Sequence, residues 1–332
     1  MPRPNIVVTG AGGFLGERLI SALLKRNFVV GANGSRIPVD GICAFDQVHT
    51  SFEDPRVEVV VGDLSDQTVL PRLIDSSTTS IFHLAAIVSS QAEAEFDLGY
   101  AINLDTTRSI LEFIRRIGNN QLRFVTTSSV AVYGGVLPAV VTDSTVVTPQ
   151  SSYGCAKAMS DLLVGDYARR GFVDGLTLRL PTVVVRPGKP NRAASSFASG
   201  IIREPIAGED TVCPVAPSTS LWITSPSAAV ANLIHGHDLS PEALTSGRIL
   251  NLPGISVTVH EMIEALFERM GEQTASRIKM QPDEAIQRIV NSWPGQFDTA
   301  YASSLGFVAP ANFQMILEQY LQDNQTATRG RS

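Results

Sequence analysis

The chain of 332 residues has a formal net charge of −6, is 44% hydrophobic and 17% charged, and holds three cysteines. That acidic balance gives no footing to a nucleic-acid surface, and no apolar run reaches the roughly 18 residues of a membrane span. The opening "MPRPNIVVTG" enters a strand at once and lacks the layout of a signal peptide, so the expectation is a cytoplasmic enzyme with a large core. Cys43, Cys155 and Cys213 lack metal or redox spacing and are expected to be reduced thiols. His235 and His237 fall on different faces of a helix with no acid or thiol at zinc spacing, so no metal is expected.

In chain order, 5–10 reads as a strand and 16–26 as a helix. Two short apolar runs follow. "FVVGA" is followed by Asn33, and "GICAFD" ends in Asp46. The "ANGSRIP" between them carries an Asn-Gly pair and a proline, which are turn signals. Residues 27–39 therefore read as an insertion, and 41–46 as the second strand. Strands at 57–63, 80–86, 122–129 and 175–181 alternate with helices at 66–75, 93–118 and 152–170. Near-continuous apolar strands separated by helices predict a parallel sheet covered on both faces, the doubly wound α/β or Rossmann arrangement. After Pro181 the chain is punctuated by Pro and Gly and carries Arg186, Lys189, Arg192 and Arg203. The stretches 220–238 and 248–254 are expected to return to the sheet, and 258–324 reads as helices. The organisation expected is a dinucleotide-binding domain at 1–181, rejoined by 220–254. A smaller, mainly helical substrate domain at 182–219 and 255–325 and a frayed tail at 326–332 complete it.

"TGAGGFLG" sets Gly10, Gly13 and Gly16 between the first strand and the first helix. Bare backbone there allows a tight turn, and the helix N-terminus offers free N–H groups to a pyrophosphate. An acid at the end of the second strand binds the adenosine ribose hydroxyls. Asp46 is therefore the ribose ligand, which favours NAD. Counting about 20 residues on from the glycines lands instead near Asn33 and Arg36, a pairing that would favour NADP. Ser128 and Ser129 stand at the carboxyl end of a central strand, where ligands of such sheets bind. Tyr153 and Lys157 lie one helical turn apart. A lysine ammonium and the positive nicotinamide favour the phenolate, so the tyrosine can take a proton from an alcohol while hydride leaves for the cofactor.

On these residues the chain resembles the extended short-chain dehydrogenases/reductases over essentially its full length. The family's recurring elements fall on "TGAGGFLG", on Asp63 with Leu64, on "HLAA", on Asn103, on Ser129, and on Tyr153 with Lys157. The resemblance implies that Asp63 contacts adenine, that Ala85 and Ala86 line the cofactor, and that Asn103 fixes the active-site helix. Ser129 is preferred to Ser128 as the catalytic serine because it directly precedes "VAVYG". Phe14, Leu15, Pro181 and Val183 complete the candidate cofactor residues. The resemblance also implies a homodimer through the helices at 93–118 and 152–170.

Three stretches, "LRLPTVVVRPGKPNRAASSFASGIIREP", "SLWITSPSAAVANLIHGHDL" and "LNLPGISVTVHEMIEAL", resemble a bacterial branch of that family. Its members oxidise C2 of a four-carbon sugar acid to a 2-oxo acid with NAD, so D-erythronate is the expected substrate. A guanidinium suits its carboxylate, which nominates Arg186 and Arg192, and Asn191, Ser195 and Ser196 suit its hydroxyls. A nucleotide-sugar 4-epimerase or dehydratase would use the same Tyr and Lys, with the cations of 186–203 holding a diphosphate. A non-catalytic NAD-binding regulator is a third reading, against which the intact Ser-Tyr-Lys set argues.

Overall fold

The computed structural model describes residues 4–188 and 194–329. Strand β1 (Ile6–Thr9) is buried throughout and runs into a turn that glycine makes possible. Gly10 has φ +72°, and a Cβ there would stand 2.7 Å from the Ala85 nitrogen. At Gly16 a Cβ would stand 2.2 Å from the Gly10 carbonyl oxygen. Helix α1 (Phe14–Arg26) follows, with Glu17 in its first turn and Lys25 and Arg26 in its last, signs that suit the helix dipole. Leu19, Ile20 and Leu23 form its buried face, and Asn27 ends it in the left-handed region.

Phe28–Val30 and Arg36–Pro38 then pair antiparallel as a hairpin outside the central sheet. The Phe28 ring lies between two guanidinia, with Arg26 at 4.2 Å and Arg36 at 4.4 Å from its centroid. Asp238 pins the hairpin by accepting the Val30 N–H at 2.9 Å and pairing with Arg26. Strand β2 (Ile42–Asp46) takes the place beside β1, with Ile42 opposite Ile6 and Phe45 opposite Thr9. The later apolar run is therefore the second strand of the sheet, and the earlier one belongs to the insertion.

The sheet is completed by β3 (Val57–Val61), β4 (Ser80–His83), β5 (Arg123–Ser129), β6 (Asp174–Leu180) and β7 (Ile249–Asn251). The order is β7-β6-β5-β4-β1-β2-β3 with every neighbouring pair parallel. This is the doubly wound fold, and its order reverses between β1 and β4. Successive residues feed opposite faces. Val8 packs with Leu19 and Leu178 on one side, and Val7 packs with Leu111 and Phe124 on the other.

The expected helix 93–118 is broken. Ser89–Ala94 and Phe96–Tyr100 are separate short helices joined at Glu95, whose backbone is not helical. They approach closely, since a Cβ on Gly99 would lie 3.0 Å from the Ala92 Cα. A wide π-type turn at Ala101–Asp105 then leads into α2 (Thr106–Ile117). Helix α3 (Ser152–Arg169) starts at Ser151, whose hydroxyl accepts the Gly154 N–H at 3.1 Å.

Past β6 the chain forms α4 (Ser196–Ile206), α5 (Pro226–Asp238), α6 (Val259–Met270) and α7 (Phe313–Arg329). The stretch expected to return to the central sheet at 220–238 divides. Ser220–Thr224 pairs with Thr182–Val183 and Ile255–Thr258 in a small sheet of its own. Only α5 packs on the central sheet, against β5 and β6. Thr211–Cys213 pairs with Ile278–Met280, so this part of the chain holds two small sheets beside its helices. It has its own apolar cluster, around Val184, Ile201, Ile223, Leu266 and Leu317. Among the described residues no helix is long and apolar enough to cross a membrane.

Candidate active site

A cleft of about 420 Å³ opens at the carboxyl ends of the strands. The first turn contributes Gly10, Gly13, Phe14, Leu15 and Gly16, and the loop after β4 contributes Ala86. Ser128, Ser129, Tyr153 and Lys157 form one wall, and Pro181, Val183, Arg186 and Ser195 the side beyond β6. Fourteen candidates separated by up to 185 positions thus share one cavity. Asp46, Asp63, Leu64, Ala85 and Asn103 are not part of this wall. Asn191 and Arg192 lie outside the described residues. Thr127, Val130 and Ala131 also line the cleft and were legible as neighbours of the serines. Trp293 lines it too, and only tertiary folding brings it there.

The first turn fits a dinucleotide. Gly13 starts α1 without a side-chain cap, so the first-turn N–H groups keep their capacity for an anion. The close approaches at Gly10 and Gly16 leave no room for side chains. Asp46 stands at this turn, with Oδ2 accepting the Gly12 N–H at 2.9 Å and Oδ1 the Val48 N–H at 3.1 Å. Asn33 instead closes its own turn on Ser35, and Arg36 stacks on Phe28. Asp63 accepts the Ser65 N–H at 2.9 Å, which holds its carboxyl below the usual range. Leu64 is core. Ala85 donates its N–H to the Thr9 hydroxyl. Asn103, in the π-type turn, grips the loop after β4 by both its ends: its Oδ1 accepts the Ile87 N–H and its Nδ2 donates to the Ile87 carbonyl. Wide turns of this kind recur at functional sites.

Strand alternation separates the two serines. The Ser129 hydroxyl acts on the Tyr153 phenol, lowering its pKa, and accepts the Ala131 N–H at 3.1 Å. Ser128 is buried and lies beside Asp161. Burial pushes the Tyr153 phenol up, while the Arg186 charge and the Ser129 hydroxyl pull it down. Among the described residues Arg186 is thus the cation acting most on the phenol, a task that the motif alone assigns to Lys157. Arg186 is held by its Nε on the Val183 carbonyl at 3.0 Å and by its guanidinium on Ser195 Oγ at 3.2 Å. Arg203 braces its backbone carbonyl at 2.8 Å.

Lys157 Nζ donates to the Thr127 carbonyl at 3.0 Å and lies 5.9 Å from the Tyr153 ring centroid. Burial brings its pKa down to about 8, and Asp161, one turn further along α3, opposes that fall. Asp161 is itself buried against Arg179, Nε to Oδ2 at 2.8 Å. Arg179 reaches the Tyr133 hydroxyl at 2.7 Å, and Tyr133 meets the Asn251 amide, which donates to Asp143. A buried polar chain therefore runs from α3 to the edge strand β7. This set of groups can hold an alcohol oxygen, take its proton and neutralise a nearby anion.

Residues 6–221 match the NAD dependent epimerase/dehydratase family. The chain is 50% identical to the D-erythronate dehydrogenase of Cupriavidus necator, over 96% of this chain and 98% of that protein. It is 47% identical to the D-erythronate dehydrogenase of Haemophilus influenzae, over 96% and 99%. Among solved structures, the nucleoside-diphosphate-sugar epimerase from Agrobacterium tumefaciens aligns with a TM-score of 0.90 at 40% identity, covering 97% of this chain and 95% of that one. The fold, the cleft and these full-length similarities agree: the chain belongs to the NAD-dependent epimerase/dehydratase family.

Proposed function

We propose that the protein is a cytoplasmic, homodimeric dehydrogenase that oxidises the C2 hydroxyl of D-erythronate to the 2-oxo acid with NAD. The observation that carries this is a half-buried cation, Arg186, sharing one cleft with Ser129, Tyr153 and Lys157. The two relatives named D-erythronate dehydrogenase, matched end to end, support the substrate. Bound nicotinamide would supply the hydride acceptor. The protein's own groups do the rest. Ser129 holds the C2 oxygen, Tyr153 takes its proton, and Arg186 binds the carboxylate and favours the phenolate. Lys157 adds positive charge, and Ser195 keeps the Arg186 fork in place. Asp46 binds the ribose hydroxyls, and Asp63 the adenine. The part of the chain beyond Pro181, excluding 226–254, is the substrate domain. Exposed Phe96 and Leu98 precede α2, on a short helix packed against α3, which exposes Leu162; together they supply apolar surface for a second copy.

A panel of four- to six-carbon aldonates with NAD and NADP tests the reading. The expected result is one NADH per D-erythronate oxidised, with NAD preferred. Arg186→Ala should raise KM for aldonates far more than for an uncharged alcohol, and an equal effect on both would remove Arg186 as the anchor. The epimerase from Agrobacterium tumefaciens favours a second reading, a nucleotide-sugar epimerase. Retained NAD(H) with no net reduction would select it.

A further inference from the structure

Among the described residues lining the cleft, Trp293 alone comes from beyond Ser195. It also lines a second cavity of about 580 Å³, bounded by Ser218, Thr219, Ser220, Gln287 and Asn291. One residue therefore borders both spaces. Among the described residues the second is lined by hydroxyls and amides and by no charged side chain, which suits uncharged polyol hydroxyls and not a carboxylate.

We propose that Trp293 is a specificity-determining residue that limits the length of the substrate, its indole being the partition between the catalytic cleft and the second cavity. This rests on the sugar-acid reading above. With the carboxylate on Arg186 and C2 at Tyr153, the remaining carbons extend along the cleft, and a longer chain needs the volume beyond the indole. The segment carrying Trp293 is fixed on both sides. Its N–H donates to the Val290 carbonyl at 3.1 Å. Two residues on, Gly295 packs so closely on the small sheet that a Cβ would lie 2.8 Å from Ser220 Oγ. Val141 then clamps the chain, its N–H donating to the Gln296 carbonyl at 3.0 Å and its carbonyl accepting the Asp298 N–H at 2.8 Å. These bonds fix the backbone that carries the ring, and Trp293 itself packs against the apolar cluster around Ile201 and Leu266. Removing it joins the cleft to a space already furnished with neutral hydrogen-bonding groups.

The test compares kcat/KM for four-carbon and six-carbon aldonates, at saturating NAD, in the parent, Trp293→Ala and the milder Trp293→Leu. Circular dichroism melts and NAD binding by equilibrium dialysis report the fold. The six- to four-carbon ratio should rise roughly tenfold or more in Trp293→Ala, and less in Trp293→Leu. If Trp293→Ala does not fold, the Trp293→Leu ratio decides. A ratio changed by less than about twofold in a folded variant, with the parent oxidising four-carbon aldonates, overturns this inference and leaves the sugar-acid reading standing. A parent that oxidises no aldonate, or prefers six carbons to four, overturns both.

Discussion

Lys157 is a cation in a place that resists cations. Burial brings its pKa down to about 8 even with the Asp161 carboxylate opposing the fall. Removing that charge by Asp161→Asn lowers the Lys157 pKa further, so less of it is protonated in mildly alkaline solution. The pH profile of kcat/KM for NAD, which reports the free enzyme, should show an alkaline limb near pH 8 in the parent and a lower one in Asp161→Asn. An unmoved limb would detach Lys157 from that limb. The same substitution leaves Arg179 buried without its partner, a loss of about 3–5 kcal/mol for a broken buried pair, readable as a fall in urea midpoint. Tyr153→Phe removes the proposed proton acceptor while keeping the ring. It should lower kcat by roughly 10² to 10⁴ with NAD affinity retained, measured by steady-state kinetics beside dialysis. Retained turnover would assign the base elsewhere.

At the level of elements, the Phe28–Pro38 hairpin carries the cofactor argument. It takes up the chain between α1 and β2, so counting from the glycines ends on Asn33, whereas sheet pairing brings Asp46 to the glycine turn. Asp46→Ala should weaken NAD binding by about tenfold or more, the worth of hydrogen bonds to a charged group, and relax discrimination against NADP. Asn33→Ala and Arg36→Ala should leave both unchanged in a fluorescence titration; the reverse pattern would move the ribose site to the hairpin. The hairpin was legible because its Asn-Gly and Pro are local signals. The parallel strands were legible because burial on both faces leaves an unbroken apolar run, and the Gly, Ser, Tyr and Lys motifs because their spacing is local. The break in the helix after β4 was not, because the apolar period runs on through Ile102, Ile110 and Ile114 while Asn103 opens the turn by gripping Ile87, sixteen positions earlier. Trp293 and the Arg186 influence on Tyr153 were hidden for the same reason: both are products of distant contacts.

Across the whole molecule, two buried histidines tie stability to pH. His83 sits between the hydroxyls of Thr9 and Thr107, and burial, helped by the Lys157 charge, depresses its pKa from 6.5 to about 3. His237, between Ser80 and Asp238, is also depressed by burial. The folded pKa lies below the unfolded one. Between pH 6.5 and about 3 the unfolded chain binds a proton at His83 that the folded chain does not, and stability falls as pH falls through that window. The slope approaches about 1.4 kcal/mol per pH unit for each such histidine. Urea midpoints should therefore drop from pH 7 to pH 5, less steeply in His83→Asn, and equal slopes would exclude His83 as the source. The proposed dimer is checked by light scattering, where Leu162→Glu should shift the mass to that of one chain; a parent that is already monomeric would refute it. The buried chain from Asp161 through Arg179 and Tyr133 to Asn251 has a consequence for how the molecule can be divided. A fragment ending at Pro181 holds every motif residue of the catalytic set. It still lacks the amide from the last third of the polypeptide on which the far end of that chain rests. The motif is therefore complete long before the machine is, and neither truncation nor grafting of the first 181 residues onto another partner should transplant the activity unless an equivalent of Asn251 comes with them.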